Sequence, residues 1–392
     1  MVNPKQSLKR GLVATMLLST TLLTGCWDRT ETNDIAFVVT SSVDLEDDGS
    51  YRVAYMFPLP GSMGGASGGG GGTAGGKSYY IDSEVGATFR DAFSKLQLRI
   101  ARRIFLSHRR TIVIGEKLAA AGIDSLFDVL PRSSENRMTT FLVTTKGKGY
   151  DLLNTEPKFE RFPAEVIREL SKSRQAMPTS MKDIGLSLSF HSDPILSYLV
   201  PRESKGANKP SHEIQFVGYA QFKGDRMVGI YQKKEANGLL WLRNQVKSQQ
   251  LTFPVEDGEN ISILITSGKT AITPKLLDGK VSFDVKVEAT GSVREDLSND
   301  DLYQSEFLHK VEDKFAEQIK ASILAAIKQM KKEGTDSAQL GLLVWRTHPQ
   351  IWKTQFEQDW EHYFKEAEFN IRVNASIPDT GVINRNVTKE GV

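Results

Sequence analysis

The alternation of apolar and polar residues is clearest in the second half of the chain. Two segments, residues 281–289 and 369–377, alternate strictly, with apolar positions at Val281, Phe283, Val285, Val287 and Ala289 and at Phe369, Ile371, Val373, Ala375 and Ile377. A period of two is typical of a β-strand that buries one face and leaves the other in water. Both segments are therefore predicted to be half-buried strands, and this pattern favours antiparallel sheet.

Between these strands the apolar residues change to a helical spacing. They advance by threes and fours, through Leu308, Val311, Phe315, Ile319, Ile323, Ile327 and Met330. This spacing predicts a long amphipathic helix. Residues 298–301 supply capping groups for its start, and Lys331, Lys332 and Gly334 indicate its end. A helix packed across the sheet buries both apolar faces, whereas binding of a partner helix is the alternative.

A second helical pattern is aromatic. Large rings recur every four residues, at Trp352, Phe356, Trp360 and Phe364. Such a stripe is usually part of a core, because aromatic side chains bury a large apolar area. The pattern predicts one further helix packed inward, and an edge left for a partner protein is the alternative.

The first half of the chain mixes the two periods. Strands are predicted at 35–43, 51–57, 111–114 and 139–145, and helices at 85–100 and 116–130. The polar stretch 201–212 contains prolines, glycine and mixed charge, which indicates a linker. We therefore predict an α+β fold with several subdomains, largely antiparallel sheets and packed amphipathic helices. Its domains are 26–200 and 213–392.

The N-terminus has the order of a bacterial lipoprotein signal peptide. Lys5, Lys9 and Arg10 precede the uncharged apolar stretch 11–23, which is too short to span a bilayer. The sequence Leu-Thr-Gly-Cys that follows resembles a lipobox, with cleavage between Gly25 and Cys26. Cys26 is the only cysteine, which excludes an internal disulfide. We predict that residues 1–25 are removed and that lipidated Cys26 anchors the chain to the membrane's outer face.

Two literal matches to catalytic motifs fall in or beside a glycine-rich insert at 61–76, in which 10 of 16 residues are glycine. Residues 71–78 fit a phosphate-binding loop, and 65–69 fit the nucleophile elbow of hydrolases. The first motif must open a helix, yet an extended segment follows it here. The second must hold its serine under strain, which a flexible glycine tract does not do. Both matches are therefore attributed to composition.

The charge balance and the spacing of the histidines bear on whether the protein binds nucleic acid or a metal ion. The chain has 50 Lys and Arg residues against 48 Asp and Glu residues, so a basic nucleic-acid surface is not indicated. None of the six histidines shows metal-site spacing, and no metal, cofactor or catalytic residue is predicted. His108, next to Arg109 and Arg110, is interpreted as locally hydrogen-bonded. Contact with an anion or a phospholipid head group is its alternative.

Several segments jointly resemble the Ger(x)C family of spore germination lipoproteins. They are residues 26–34, 104–110, 112–116, 218–242 and 344–381. The resemblance implies a mixed α/β fold of about three subdomains, without enzymatic activity. It implies a lipid-anchored subunit of a nutrient germinant receptor in the spore inner membrane, with A-type and B-type subunits as partners. The resemblance also favours a germinant pocket in the B-type subunit rather than in this chain. The glycine-rich insert departs from the family.

The alternative from another class is a solute-binding lipoprotein of a membrane importer. That class needs two lobes, a hinge and a ligand cleft, and its architecture is largely parallel α/β. The strictly alternating strands favour the germination protein instead. The sequence leaves open whether this chain binds a small molecule directly.

Overall fold

The computed structural model describes residues 31–59, 77–190, 192–205, 208–256, 259–298 and 300–381, together with residues 9, 11–13 and 15. Its strands are β1 Ile35–Phe37, β2 Thr40–Leu45, β3 Tyr51–Pro58, β4 Tyr79–Gly86, β5 Arg103–Phe105, β6 Thr111–Gly115, β7 Phe141–Thr145, β8 Ile195–Glu203, β9 His212–Lys223, β10 Arg226–Gln232, β11 Gln250–Glu256, β12 Glu259–Leu277, β13 Lys280–Asp296 and β14 Glu368–Asp379. Strands and helices alternate along the first half of the chain, and long strands flank a long helix in the second half.

The α-helices vary widely in length. They are α1 Phe89–Gln97, α2 Glu116–Ala121, α3 Asp124–Val129, α4 Gly149–Leu153, α5 Pro163–Ser171, α6 Met181–Ser189, α7 Lys233–Leu242, α8 Ser305–Glu333, α9 Leu340–Thr347, α10 Pro349–Ile351 and α11 Trp360–Glu366. A 3-10 turn at Thr32–Asp34 precedes β1, and a π-helical turn at Trp352–Phe356 follows α10. This content confirms the predicted α+β class.

An eight-stranded sheet organises the first half of the chain. Its order is β10-β9-β8-β7-β6-β2-β3-β4, with parallel pairs at the centre and antiparallel pairs towards both edges. Helices cover both faces. On β3, Val53, Tyr55 and Phe57 belong to one core, whereas Ala54 and Met56 belong to another. Burial of both faces explains why residues 53–57 of β3 are all apolar rather than alternating.

A four-stranded sheet and one long helix form the other large unit. The sheet order is β11-β12-β13-β14, and among these strands the β13–β14 pair is parallel, whereas the other two pairs are antiparallel. The alternation of 281–289 and 369–377 favoured antiparallel sheet, and this is wrong for the pairing of these two segments with each other. The predicted alternation on β13 is confirmed, because Val281, Phe283, Val285, Val287 and Ala289 are all buried. Helix α8 buries its stripe in the same core. It begins at Ser305, after the predicted cap region, and its last residue is Glu333. The predicted stop residue Gly334 follows as the C-cap, in a left-handed conformation with φ of 66°.

Some predicted segments divide differently. The strand 35–43 splits into β1 and β2, because β1 pairs with β5 and β2 with β3 and β6. The helix 116–130 breaks at Gly122, whose φ of 132° is incompatible with a helix. In the helix 85–100, Val85 belongs to β4, and α1 begins only after Thr88, whose hydroxyl accepts from the Asp91 N–H.

The segment 201–212, predicted as a linker, lies at the connection between two paired strands. Strand β8 extends to Glu203, β9 begins at His212, and these two residues pair with each other. The segment is therefore the end of a β-hairpin within the eight-stranded sheet, and the sheet continues across it to β10. The division of the chain into domains at this point stays a prediction.

Candidate functional site

The turn between β5 and β6 carries Arg109 into the core of the eight-stranded sheet. The backbone N–H of Arg109 donates to the Leu106 carbonyl at 2.9 Å, and its carbonyl accepts from the Thr140 hydroxyl at 3.2 Å. These bonds fix the turn. The side chain of Arg109 lies between the sheet and helices α1 and α3, and the residue is only 5% exposed.

Among the described residues, the acceptors bonded to the guanidinium of Arg109 are neutral. Nη1 donates to the Ser41 hydroxyl at 3.1 Å, and Nη2 donates to Oδ1 of Asn136 at 2.7 Å. Its Nε is buried and has no acceptor among the described residues. Burial lowers the pKa of Arg109 from its ordinary value. A buried charge is normally paired with an opposite charge, so this cation is held at a cost in free energy.

Arg109 lines a small cavity, which we call the inner chamber. Its volume is about 50 Å³, and its lining consists of Val43, Val53, Tyr55, Phe89, Arg90, Phe93, Leu106, Arg109, Leu126, Val129, Leu130, Ser133 and Asn136. This lining has two arginines and no carboxylate. Burial raises the pKa of Tyr55 to about 12, so the phenol remains a hydrogen-bond donor at neutral pH.

A larger depression, which we call the outer groove, adjoins the inner chamber. Its volume is about 850 Å³, and four residues line both spaces: Phe89, Arg90, Val129 and Ser133. The acidic side chains in the groove have arginine partners of their own. Asp128 pairs with Arg132 at 2.6 Å, and Glu135 pairs with Arg103. These carboxylates are therefore engaged at the surface and do not neutralise Arg109.

A second polar cluster joins the eight-stranded sheet to the segment that follows α8. Asp193, just before β8, accepts from the backbone N–H groups of Gly224 at 2.7 Å and Asp336 at 2.6 Å. The carboxylate of Asp336 accepts from the N–H groups of Leu340 at 2.8 Å and Gly341 at 2.6 Å, and from Nε1 of Trp360 at 3.0 Å. We call this cluster the carboxylate junction.

Burial dominates the electrostatics of the carboxylate junction. It raises the pKa of Asp336 to about 7, and the neighbouring charge of Asp193 adds to this increase while the hydrogen bonds oppose it. Burial also raises the pKa of Asp193. The buried guanidinium of Arg243 attracts Asp336, and the exposed Lys223 attracts Asp193. These carboxylates cap a helix start and a turn, and such hydrogen bonds stabilise the fold.

The predicted lipid-attachment residue Cys26 and the cleavage position Gly25 lie outside the described residues, as does the elbow match at 65–69. Of the phosphate-loop match, Lys77 and Ser78 are described. Lys77 pairs with Glu156 at 2.8 Å, and the strand β4 follows directly. A phosphate-binding loop opens a helix at this point, so the geometry that the motif requires is not formed here.

The histidines that the structure describes are dispersed. His108 packs its ring against Phe37 and Phe105, with centroid distances of 4.9 and 5.9 Å. His309 lies on the exposed side of α8, where Nδ1 is 3.1 Å from Glu312. Within the described part of the chain, no group of three or more His, Cys, Asp or Glu side chains is arranged to hold a metal ion. Nor is any helix there long and apolar enough to cross a membrane.

The charged residues of greatest structural interest were not singled out from the sequence. The sequence marks Arg109 only as a neighbour of His108 within the block 104–110, and no pattern in it marks Asp193 or Asp336. Asp336 follows the helix-ending Gly334 closely, a place where a carboxylate can accept from a following helix start. The burial of Arg109 has no local signal, because it depends on residues 68 and 27 positions away, Ser41 and Asn136.

The two large sheets, the long crossing helix and the buried carboxylate junction define an α+β protein whose halves are joined by buried polar contacts. Comparison with known proteins identifies the family. Residues 28–201 match the model for the spore germination protein N-terminal domain, and residues 217–381 match the model described as spore germination B3/GerAC like, C-terminal. The chain belongs to this family of spore germination proteins.

Relatives match along nearly the whole chain. The putative spore germination protein YfkR of Bacillus subtilis (strain 168) is 34% identical over 375 residues, covering 95% of this chain and 97% of the relative. Spore germination protein KC of the same organism is 26% identical, covering 95% and 96%. The crystal structure of the GerBC protein has the same fold, with a TM-score of 0.58, 18% identity, and coverage of 86% of this chain and 97% of that chain.

Proposed function

We propose that this protein is a lipid-anchored, non-catalytic subunit of a nutrient germinant receptor, and that it acts in germination signalling at the outer face of the spore inner membrane. The observation that carries the proposal is the match of almost the whole chain to spore germination proteins. The lipobox ending at Cys26 supplies the anchor. Its partners are the membrane, through the lipid, and the A-type and B-type receptor subunits.

The non-catalytic part of the proposal is supported by how the buried carboxylates are used. Asp44 accepts from the backbone N–H groups of Gly149 at 2.6 Å and Tyr150 at 3.0 Å. Asp193 and Asp336 accept backbone N–H bonds in the same way. A carboxylate that accepts from backbone N–H groups in this way stabilises a turn or a helix start, which supports a structural role for these three groups.

Anchoring gives the proposal its physical rationale. A chain held in a thin layer at the membrane meets membrane partners at a much higher effective concentration than a free chain does. Two or more acyl chains give durable attachment, at about 0.8 kcal/mol per buried CH₂ group. The lipid therefore substitutes for a membrane-spanning helix in keeping the protein beside its partners.

The Cys26→Ala variant tests the anchor. We expect it to lose lipid labelling, to leave the membrane fraction, and to slow nutrient-triggered germination by at least about tenfold, because the effective concentration at the membrane falls. Thr24→Ser, which keeps a small residue in the lipobox, is the matched control and should germinate normally. Full germination with unlipidated Cys26→Ala protein would refute the anchoring proposal.

Crosslinked co-purification of the tagged full-length protein from spore inner membranes tests the receptor assignment. Recovery of multi-pass germination-receptor subunits, identified by mass spectrometry, is the expected result. Recovery of an importer permease with its ATPase would instead establish the solute-binding alternative. Spores without the tag, crosslinked in parallel, control for abundant membrane proteins that are captured without contact.

A further inference from the structure

We propose that the inner chamber beside Arg109 binds the carboxylate of a small organic acid, whose short apolar part fills the rest of the chamber. The starting observation is a buried cation without a counter-charge. Arg109 is 5% exposed, its bonded acceptors are the neutral Ser41 and Asn136, and its Nε has no acceptor among the described residues. A bound carboxylate would neutralise the guanidinium and accept from Nε.

The charges around the inner chamber favour an anion. Arg90 lines it together with Arg109, and no Asp or Glu belongs to its described lining. The acidic residues that line the outer groove, Asp128 and Glu135, are paired with Arg132 and Arg103. Tyr55 adds a phenol that stays protonated at neutral pH. The chamber therefore offers positive charge and neutral hydrogen-bond donors to an incoming anion.

Its size and lining favour a carboxylate over inorganic phosphate. About 50 Å³ is room for roughly three or four water-sized groups, which corresponds to a carboxylate with a few carbon atoms. Much of the lining is aliphatic or aromatic, including Val43, Val53 and Leu126. A doubly charged phosphate would lose more hydration than these surroundings replace, whereas an alkyl chain gains from burial.

The outer groove provides the route by which such a molecule reaches Arg109. Phe89, Arg90, Val129 and Ser133 line both the groove and the inner chamber, so the two spaces adjoin along these side chains. Arg90 also lies 4.9 Å above the ring of Phe93, which keeps its charge beside the chamber. Binding of an organic acid at this place does not depend on the receptor role proposed above.

The test uses the full-length protein in detergent micelles, with sodium butyrate as the probe. Thermal unfolding is followed by tryptophan fluorescence, and the dissociation constant is measured by calorimetry. Butyrate should raise the midpoint of unfolding and bind with a dissociation constant on the order of 1 mM, a value typical of a small ligand held by one charged group. Butyramide, sodium phosphate and sodium chloride at equal ionic strength should produce no comparable shift.

Three variants locate the site. Arg109→Met should weaken butyrate binding by at least about tenfold, because it removes the guanidinium charge and keeps an unbranched apolar side chain in its place. Ser133→Phe should weaken it equally by filling the chamber entrance while Arg109 stays intact, so the test survives if Arg109→Met fails to fold. Arg132→Gln, in the outer groove, is the charge-matched control and should bind within about twofold of the wild type.

Four results would overturn the proposal. Equal stabilisation by butyrate and butyramide would show that charge is not recognised. Tighter binding of phosphate would indicate an inorganic-anion site. Unchanged butyrate binding in both Arg109→Met and Ser133→Phe would place the interaction elsewhere, and loss of binding in Arg132→Gln would place it in the outer groove. None of these results depends on germination, so the receptor proposal is tested separately.

Discussion

Gly238 lies where α7 packs against α8. A Cβ atom at this position would lie 1.8 Å from the carbonyl oxygen of Ser322 and 2.9 Å from the backbone nitrogen of Ile323. Both of these atoms belong to the backbone of α8, which cannot move aside as a flexible side chain can. The absence of a side chain at Gly238 is therefore what allows the two helices to approach this closely.

We expect Gly238→Ala to destabilise the protein by about 1–3 kcal/mol, because the new methyl group forces the helices apart. Urea unfolding followed by circular dichroism measures the change. Gly185→Ala in α6 is the matched control, since its nearest neighbour is the ring of Phe127 at 3.5 Å. That substitution should be neutral or stabilise by about 0.5–1 kcal/mol through helix propensity. Equal effects of the two substitutions would contradict the argument that Gly238 permits the close approach of α7 and α8.

At the scale of the element, α8 packs its apolar face into the core of the second half of the chain. Its buried residues are Phe307, Val311, Phe315, Ile319, Ser322, Ile323, Ala326, Ile327 and Met330. They share one core with the four-stranded sheet and with α7. The helix is 29 residues long. Because most of the stability of a helix in a protein comes from tertiary packing of its apolar face, this buried stripe is what stabilises α8.

Truncation at two positions of α8 should separate packing from propensity. Ile319 is fully buried, whereas Leu324 is 47% exposed. Ile319→Ala should cost about 2–5 kcal/mol, because it leaves a cavity in the core. Leu324→Ala should change stability by less than about 0.5 kcal/mol. Chemical unfolding of both variants measures these differences, and similar losses would mean that the helix is held in another orientation.

The aromatic stripe at Trp352, Phe356, Trp360 and Phe364 is divided between two helical segments. Phe356 and Phe364 are buried, and Trp352 and Trp360 pack against the same core, so the inward orientation is as predicted. The single predicted helix is wrong, however. A π-helical turn ends at Phe356, and α11 begins separately at Trp360 after Asp359 leaves the helical conformation. The Nε1 bond from Trp360 to Asp336 holds this second helix at the carboxylate junction.

At the scale of the whole molecule, the carboxylate junction makes stability depend on pH. Asp336 has an ordinary pKa of 3.8, and burial raises it to about 7 in the folded protein. The folded state therefore retains a proton between about pH 4 and 7 that the unfolded state has lost. Its contribution to stability is complete below pH 4 and disappears as the pH rises through 7, which is opposite to the behaviour of an ordinary salt-bridged carboxylate.

We expect the free energy of unfolding attributable to this group to fall by about 1–3 kcal/mol between pH 5 and 8. Asp336→Asn should flatten this dependence, although its absolute stability will be lower because an amide replaces one acceptor oxygen. Asp284→Asn on the exposed face of β13 is the control and should retain the wild-type slope. Urea unfolding at each pH gives the slopes, and identical slopes for Asp336→Asn and wild type would exclude Asp336 as the cause.

The local sequence was sufficient to predict an element where the burial of a single apolar face dominates its stability. The period of two at 281–289 and the period of 3.6 in α8 each report a single buried face, and both elements form as predicted. Gly334 follows the last residue of α8 because a backbone position with positive φ favours glycine. The same kind of local argument predicts the signal peptide and the lipid on Cys26. The family resemblance, carried by blocks spread along the chain, is confirmed by the comparisons.

Tertiary structure decided what depends on distant residues. It joined the strands on both sides of 201–212 into one sheet, since the pairing of β8 with β9 satisfies backbone groups that no local pattern specifies. It buried Arg109 between Ser41 and Asn136 and placed Asp193 against Asp336, 143 positions along the chain. Periodicity determined which faces are apolar. Only the packed chain determined which charges lose contact with water and which partners they then meet.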